Sequence, residues 1–205
     1  IDALWVTHLH ADHIGGIEWF AFSRYFLPKK DSQLNSVRPK LFCMPVLMKE
    51  LWETSLRGGL ESIEGKVTNL TDYFECIQVS EHLGFGWENI KFMPVQTIHV
   101  MSGYMFKHSY GLLITTETGK RVFITGDTQF SPYQLHGFYA MSDVIFQDCE
   151  TSNVKSHVHA HYEDLNSLPD TIKRKMWLYH YGNKIDTVGQ DSFVGFVEKG
   201  QTFEL

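Results

Sequence analysis

The chain carries, close to its start, the stretch Leu4-Trp5-Val6-Thr7-His8-Leu9-His10-Ala11-Asp12-His13-Ile14-Gly15-Gly16. Four potential metal ligands, His8, His10, Asp12 and His13, fall within six positions, between a short apolar run and a glycine pair. Imidazole and carboxylate are ligands that a borderline metal such as zinc prefers. A surface cluster without metal is the alternative in a chain with 11 histidines, but the motif is too dense for chance. The stretch therefore predicts a metal site.

The order His-x-His-x-Asp-His-x-Gly-Gly after a strand resembles the signature loop of the metallo-β-lactamase superfamily, whose members are mostly metal-dependent hydrolases. The resemblance implies an α+β fold, a four-layer αββα sandwich with two mixed sheets between helices. The site would lie at one sheet edge where strand ends converge. Members usually have two or more strands before this motif, whereas this chain begins at Ile1. We therefore expect its N-terminal strands to be missing.

Size and composition indicate one globular domain spanning residues 1–205. Hydrophobic residues make up 43% of the chain and charged residues 20%, and no apolar run is long enough to span a bilayer. The net charge of -6 provides no general attraction for nucleic acid. Three scattered cysteines form no C-x-x-C pair, which favours a reducing compartment, the cytoplasm, over a disulfide framework.

Hydrophobic periodicity predicts alternating helices and strands first, and hairpins later. The predicted strands are Ala3–Thr7, Leu41–Met44, Phe74–Val79, Ile90–Gln96, Tyr110–Thr116, Arg121–Thr125, Val144–Gln147, Met176–Tyr179 and two short strands within Phe193–Leu205. The predicted helices are Ile14–Phe26, Val46–Ser55 and one around Pro169. Lys29–Lys40 is predicted to be a loop, and Arg57–Asn69 a surface excursion or a plain connector. A purely parallel sheet does not fit this pattern.

Three further ligand candidates stand at predicted strand ends: His99, Asp127 and His180. Each alone is more often a hydrogen-bonded structural residue than a ligand. Together, their order and context resemble the later motifs of the superfamily. In particular, Thr125-Gly126-Asp127-Thr128 resembles the Gly-Asp motif that bridges two metals.

The resemblance implies a site with two divalent ions, zinc or alternatively manganese. It assigns His8, His10 and His99 to the first ion, Asp12, His13 and His180 to the second, and Asp127 to both. Two cations about 3.5–4 Å apart share a water, lower its pKa and stabilise the charge of an ester transition state. Asp12 could also orient the bridging hydroxide.

The segment Ser109-Tyr110-Gly111 soon after His99 resembles the ribonuclease Z-like and cyclic-nucleotide phosphodiesterase branch, as does the Gly-Asp-Thr form of the bridging motif. The chain departs from ribonuclease Z because it has no long glycine-rich, basic insertion to grip transfer RNA. Lys173-Arg174-Lys175 is its only tight basic run and is interpreted as a solvated helix face. This absence favours a small phosphodiester over folded RNA.

A histidine triplet, His157, His159 and His161, lies about twenty residues before His180. In ribonuclease Z-like enzymes a histidine at this distance touches the scissile phosphate and can protonate the leaving oxygen. By spacing His159 matches best, and the pKa of an imidazole suits proton donation near neutral pH. A solvent-exposed histidine loop or an adventitious metal site is the alternative.

The sequence thus predicts a dinuclear hydrolase of phosphodiesters, with a cyclic nucleotide or an RNA 3′ end as substrate. The resemblance extends to uncharacterised bacterial and phage relatives, some similar to enzymes that destroy cyclic-nucleotide signals. A lactonase or thioesterase of the same fold is one alternative. A metal-binding scaffold without activity is the other. A homodimer is expected by analogy with the relatives, and no membrane partner is expected.

Overall fold

The computed structural model describes residues 1–26, 38–182 and 193–205, so most of the predicted loop Lys29–Lys40 lies outside the described residues. Contacts divide the chain into two compact units, Ile1–Ser80 and Glu81–Leu205. The single domain predicted over residues 1–205 stays a prediction. None of the helices in the described parts has the length and apolar character needed to cross a bilayer.

The N-terminal unit is built on a three-stranded parallel sheet. Its elements in chain order are β1 (Ala3–Trp5), α1 (Ala11–Ile14), α2 (Ile17–Phe26), β2 (Lys40–Cys43), α3 (Pro45–Glu50), a π-helical segment (Leu51–Leu56), α4 (Arg57–Leu60), β3 (Ser62–Ile63), β4 (Lys66–Val67), α5 (Leu70–Tyr73) and β5 (Glu75–Gln78). The sheet order is β1-β2-β5, with β2 at the centre. The central strand is the most buried of the three, because both of its edges are paired.

Two predictions in this unit need correction. The helix predicted over Ile14–Phe26 begins only at Ile17, because α1 ends at Ile14 and the glycine pair forms a turn. Arg57–Asn69, predicted to be an excursion or connector, forms α4 and the antiparallel pair β3–β4. This segment is anchored to the unit because the buried Tyr73 hydroxyl donates a 2.7 Å hydrogen bond to the Leu60 carbonyl.

The C-terminal unit contains a seven-stranded mixed sheet. Its elements in chain order are β6 (Phe85–Trp87), β7 (Ile90–Ser102), β8 (Met105–Thr115), β9 (Arg121–Ile124), α6 (Pro132–Met141), β10 (Val144–Asp148), α7 (Tyr162–Asn166), α8 (Asp170–Lys173), β11 (Met176–Tyr179) and β12 (Gly195–Phe196). The sheet order is β12-β11-β10-β9-β8-β7-β6. Strands β6 to β9 pair antiparallel, and β9 to β12 pair parallel. The mixed sheet and the predicted β8–β9 hairpin are confirmed.

Differences from prediction in this unit follow from tertiary pairing. Strand β7 runs beyond Gln96 to Ser102 because β8 pairs with it along its whole length. Helix α6 is not predicted, since its apolar residues form no clear one-sided stripe, although Pro132 suits a first helical turn. Within residues 193–205 the structure forms one strand, Gly195–Phe196, rather than two.

In the core of the C-terminal unit, three helices pack against the parallel strands. Phe123, Ile145 and Met176 from β9, β10 and β11 pack with side chains from α6, α7 and α8. Because β9, β10 and β11 are parallel, their carboxyl ends meet at the same sheet edge. The residues that follow these strands therefore lie close together.

We expect Gly111→Ala to destabilise the protein and Gly137→Ala to stabilise it. A Cβ atom at Gly111 in β8 would lie 2.4 Å from the Ile124 carbonyl oxygen and 2.6 Å from that of Thr125. Such overpacking typically costs about 1–3 kcal/mol of unfolding free energy. Gly137, inside α6, has open space around the Cβ position, where alanine contributes about 0.5–1 kcal/mol. Denaturant unfolding of both variants tests this, and a Gly111→Ala protein as stable as the parent would contradict it.

Candidate metal centre

The motif of the N-terminal unit lies between β1 and the end of α1. The Nε2 atom of His8 is 3.1 Å from the Nδ1 atom of His10, and the His8 and His13 ring centroids are 4.2 Å apart. A carboxylate oxygen of Asp12 is 3.4 Å from Nε2 of His13. The four predicted ligands of this motif therefore share one short loop, with His8 buried.

In the C-terminal unit, two aspartates and one histidine lie close together at the carboxyl ends of β9, β10 and β11. Asp127 follows β9, Asp148 ends β10, and His180 follows β11. The Nδ1 atom of His180 is 3.1 Å from Oδ1 of Asp148 and 3.8 Å from Oδ1 of Asp127. Both carboxylates are buried, with 1% exposure for Asp127 and 0% for Asp148.

Sequence reasoning missed Asp148 as a site residue. Its buried carboxylate accepts hydrogen bonds from the Thr128 amide at 2.9 Å, from Nδ1 of His159 at 2.8 Å and from Nδ1 of His180 at 3.1 Å. The signal is present in the sequence, because Asp148 directly follows the predicted apolar strand Val144–Gln147, as the predicted ligand His180 follows Met176–Tyr179.

His99 is predicted at a strand end, and this is wrong, because it lies inside β7. Ile98 pairs with His108 and Val100 with Lys107, so His99 is the extra residue of a β-bulge. A bulge re-aims a side chain while the strand continues. The result places Nε2 of His99 3.8 Å from Oδ2 of Asp127.

His180 adopts a backbone conformation that is unusual for a residue other than glycine. Its φ is +63°, in the left-handed region. Such a conformation costs about 1–3 kcal/mol and persists only where the surrounding structure imposes it. The Asp148 hydrogen bond to the imidazole aims the ring and contributes to offsetting this cost.

The backbone around Asp127 is held by hydroxyl groups. The Asp127 carbonyl accepts hydrogen bonds from Ser109 at 2.9 Å and from Thr97 at 3.3 Å, both from buried side chains. Gly126 has a φ of +63°, and a Cβ there would lie 3.0 Å from the Tyr110 carbonyl oxygen. The segments Ser109-Tyr110-Gly111 and Gly126-Asp127-Thr128 therefore both help to position the Asp127 side chain.

Of the histidine triplet, the structure brings His159 to the cluster. Its Nδ1 donates to Asp148, and its ring centroid is 4.8 Å from that of His180. That hydrogen bond is the main reason why the pKa of His159 is raised, and it outweighs the lowering effect of burial. His161 instead caps α7, with Nε2 donating to the Ser152 carbonyl and Nδ1 accepting from the Glu163 amide, while His157 is exposed.

The donor set fits a divalent metal. Asp127, Asp148, His159 and His180 each offer one potential ligand atom, and these atoms lie within 4.8 Å of one another. Because Asp148 accepts hydrogen bonds from Nδ1 of both histidines, Asp127 and His180 are the ligand candidates of this group, and Asp148 and His159 are their neighbours. The two 3.8 Å separations from Asp127 are too long for hydrogen bonds. Because zinc bonds to nitrogen and carboxylate oxygen at about 2.0–2.2 Å, one ion could contact both Nε2 of His99 and Oδ2 of Asp127. Nδ1 of His180 instead carries the proton that it donates to Asp148, which leaves Nε2 as the ligand atom of that ring. A different histidine faces each Asp127 oxygen, His99 beside Oδ2 and His180 beside Oδ1.

Cys149 is not suited to act as a nucleophile. It is buried between Asp148 and Glu150, and burial raises the pKa of its thiol far above the ordinary value, with the two carboxylates adding to the shift. A thiol that stays protonated is a poor nucleophile. Cys149 is therefore a residue of the hydrophobic core.

Comparison with known proteins places the chain in a family. The model of the family described as "Anti-Pycsar protein Apyc1" matches residues 1–203. A relative from Paenibacillus harenae, named anti-Pycsar protein Apyc1, is 32% identical over 211 residues, which cover 100% of this chain and 79% of the relative.

Solved structures share the fold at low sequence identity. The metallo-β-lactamase fold protein YhfI from Bacillus subtilis has a TM-score of 0.68 at 14% identity, covering 100% of this chain and 78% of YhfI. Unliganded yeast PDE1 has a TM-score of 0.61 at 11% identity, covering 91% of this chain and 59% of PDE1. The predicted metallo-β-lactamase fold is therefore confirmed, and the chain belongs to the Apyc1 family of anti-Pycsar proteins.

Proposed function

We propose that the chain is a metal-dependent hydrolase that cleaves phosphodiester bonds, with a cyclic nucleotide or an RNA 3′ end as substrate. The observation that carries the proposal is the cluster of Asp127, Asp148, His159 and His180 in the C-terminal unit, whose two carboxylates are buried. The family relatives are named anti-Pycsar proteins, and we propose that this chain shares their role.

Two divalent ions are proposed, zinc or alternatively manganese. By its motifs the chain would hold them with seven ligands: His8, His10, Asp12, His13, His99, Asp127 and His180. When bound, the ions lower the pKa of a shared water toward neutrality and stabilise the developing charge on phosphorus.

The chain's own residues supply orientation and a proton. Asp148 holds Nδ1 of His159, so Nε2 is the ring atom that would donate a proton to the leaving oxygen. Because Asp148 also holds His180, the proton donor and a proposed ligand are aligned by one carboxylate. Asp12 would accept a hydrogen bond from the attacking water.

The space beside this cluster favours a small substrate. A cleft of about 330 Å³ is lined by Glu150, Thr151, Ser152, His159, His180 and Gly182. Its volume is at the lower end of the range for small-molecule sites, about 300–1,000 Å³. Together with the net charge of -6, this supports a small phosphodiester over folded RNA. A homodimer is proposed on analogy with relatives alone.

Metal analysis of the purified protein should find close to two zinc or manganese ions per chain. Asp127→Asn should lower this content, because the amide replaces an anionic ligand that is 1% exposed. Asp170→Asn, at a side chain that is 64% exposed, is the matched control and should leave it unchanged. A fully active, metal-free protein would rule out the proposed chemistry.

The metal-loaded protein should hydrolyse bis-p-nitrophenyl phosphate and leave simple lactones and thioesters intact. The expectation rests on the resemblance to the phosphodiesterase branch, because a lactone also releases an alkoxide and protonation by His159 alone would not exclude it. Initial rates on the three substrate classes test this. Hydrolysis of a lactone or thioester alone would favour the alternative enzyme, and no turnover of any of them would favour a scaffold.

Replacing His159 with glutamine should lower kcat about 10²–10⁴-fold, the usual contribution of a positioned general acid. Metal content should stay the same, because other residues are the proposed ligands. His157→Gln, at the exposed neighbour, should retain activity. Loss of metal from His159→Gln would instead make His159 a ligand, and loss of activity only in His157→Gln would move the donor role to His157.

A further inference from the structure

The loop 151–160 leaves β10 and returns beside its own starting point. At its base the Glu150 amide donates to the Ala160 carbonyl at 2.8 Å, and the Tyr162 amide donates to the Glu150 carbonyl at 2.9 Å. These two backbone bonds close the loop but leave its interior residues to be ordered by other contacts.

The Glu150 carboxylate provides several of those contacts, and Lys155 and Ser152 are also held from outside the loop, by Asp164 and His161. Its Oε1 accepts a 2.8 Å hydrogen bond from the Ser152 hydroxyl, and its Oε2 accepts bonds of 2.9 Å from both the amide and the hydroxyl of Ser156. The Ser156 hydroxyl in turn accepts a 3.3 Å bond from the Val158 amide. Burial raises the pKa of Glu150, but these bonds outweigh it and hold the pKa below its ordinary value. The carboxylate is thus joined to Val158 through Ser156.

Val158 connects this arrangement to His99. Its carbonyl accepts a 2.7 Å hydrogen bond from Nδ1 of His99. Because a carbonyl cannot donate, Nδ1 must carry the ring proton, and Nε2 then carries the lone pair. Nε2 is the atom that lies 3.8 Å from Asp127. The backbone of the loop therefore selects the tautomer of His99 that can bind a metal.

The same short stretch also carries the proton donor. His159 follows Val158 directly, and its ring centroid is 5.0 Å from that of His99. Displacement of Val158 would move His159 relative to Asp148 as well. One ordered peptide segment serves both histidines.

We propose that Glu150 is a positioning residue, whose carboxylate orders the loop 151–160 so that Val158 selects the His99 tautomer and His159 meets Asp148. The catalytic consequence rests on the proposed function, whereas the tautomer selection does not. Outer partners that orient a ligand typically change metal affinity or activity about 10–100-fold when they are removed.

Two substitutions at Glu150 separate hydrogen bonding from charge. Glu150→Ala removes every acceptor. Glu150→Gln keeps an amide oxygen for the two Ser156 donors, and its NH₂ can donate to the Ser152 hydroxyl, which then donates to the Val154 carbonyl 2.6 Å away. Glu117→Ala, at an exposed turn between β8 and β9, is the matched control.

The first readout is the His99 tautomer in metal-free protein labelled with 15N-histidine, at about pH 8.5, where neutral imidazole dominates. His99→Gln identifies the His99 signals. We expect the Nδ1–H form in the parent protein, in Glu150→Gln and in Glu117→Ala, and a mixture of both tautomers in Glu150→Ala. Since neither metal nor substrate is used, this result is independent of whether the chain hydrolyses phosphodiesters.

The second readout combines calorimetric zinc titration with kinetics on bis-p-nitrophenyl phosphate. Glu150→Ala should lower zinc affinity and kcat about 10–100-fold, and Glu150→Gln should restore most of both. Equal behaviour of Glu150→Ala and the parent in tautomer and affinity would overturn the proposal. So would equal losses in Glu150→Ala and Glu150→Gln.

Ser156→Ala covers the case in which Glu150→Ala does not fold. It removes the hydroxyl that links Glu150 to Val158 and keeps the backbone bond to Oε2. In Ser156→Ala we expect a smaller fraction of the second His99 tautomer and a smaller loss of zinc affinity than in Glu150→Ala. An unchanged His99 tautomer in a folded Ser156→Ala protein would overturn the proposed connection.

Discussion

The arrangement of the candidate site in the C-terminal unit depends on the hydrogen bonds that the buried Asp148 carboxylate accepts. It accepts from Thr128 after β9, from His159 in the loop 151–160 and from His180 after β11. A carboxylate fully removed from water is strongly destabilising unless donors compensate it. Each of these segments is therefore held to the end of β10 by the need to satisfy one anion.

Further hydrogen bonds hold Asp127 and His99 in position. Hydroxyl groups of Thr97 and Ser109 hold the carbonyl of Asp127, and the Val158 carbonyl holds the ring of His99. Glu150 orders the backbone that carries Val158. Pre-organisation of this kind is what a metal site needs, since the side chains are held near binding geometry before an ion arrives.

Several features were predictable because they are local in sequence. The motif His8–His13 is dense enough to identify a metal-binding loop of the metallo-β-lactamase type, and the apolar strand β11 ends at its predicted boundary, just before His180. Helix α6 and the full length of β7 were not predictable in this way. The first lacks a one-sided apolar pattern, and the second is extended by pairing with β8.

By itself the sequence determined the superfamily, the order of the ligand candidates and the choice of a histidine triplet, because each of these depends on residue types at short spacings. Tertiary structure alone decided that Asp148 belongs to the cluster, that His99 sits at a bulge and that His159 rather than His161 faces the acids. The reason is physical: the decisive hydrogen bonds join residues up to 59 positions apart, such as His99 and Val158. A spacing rule cannot reveal such a bond until the strands that present both partners have been paired.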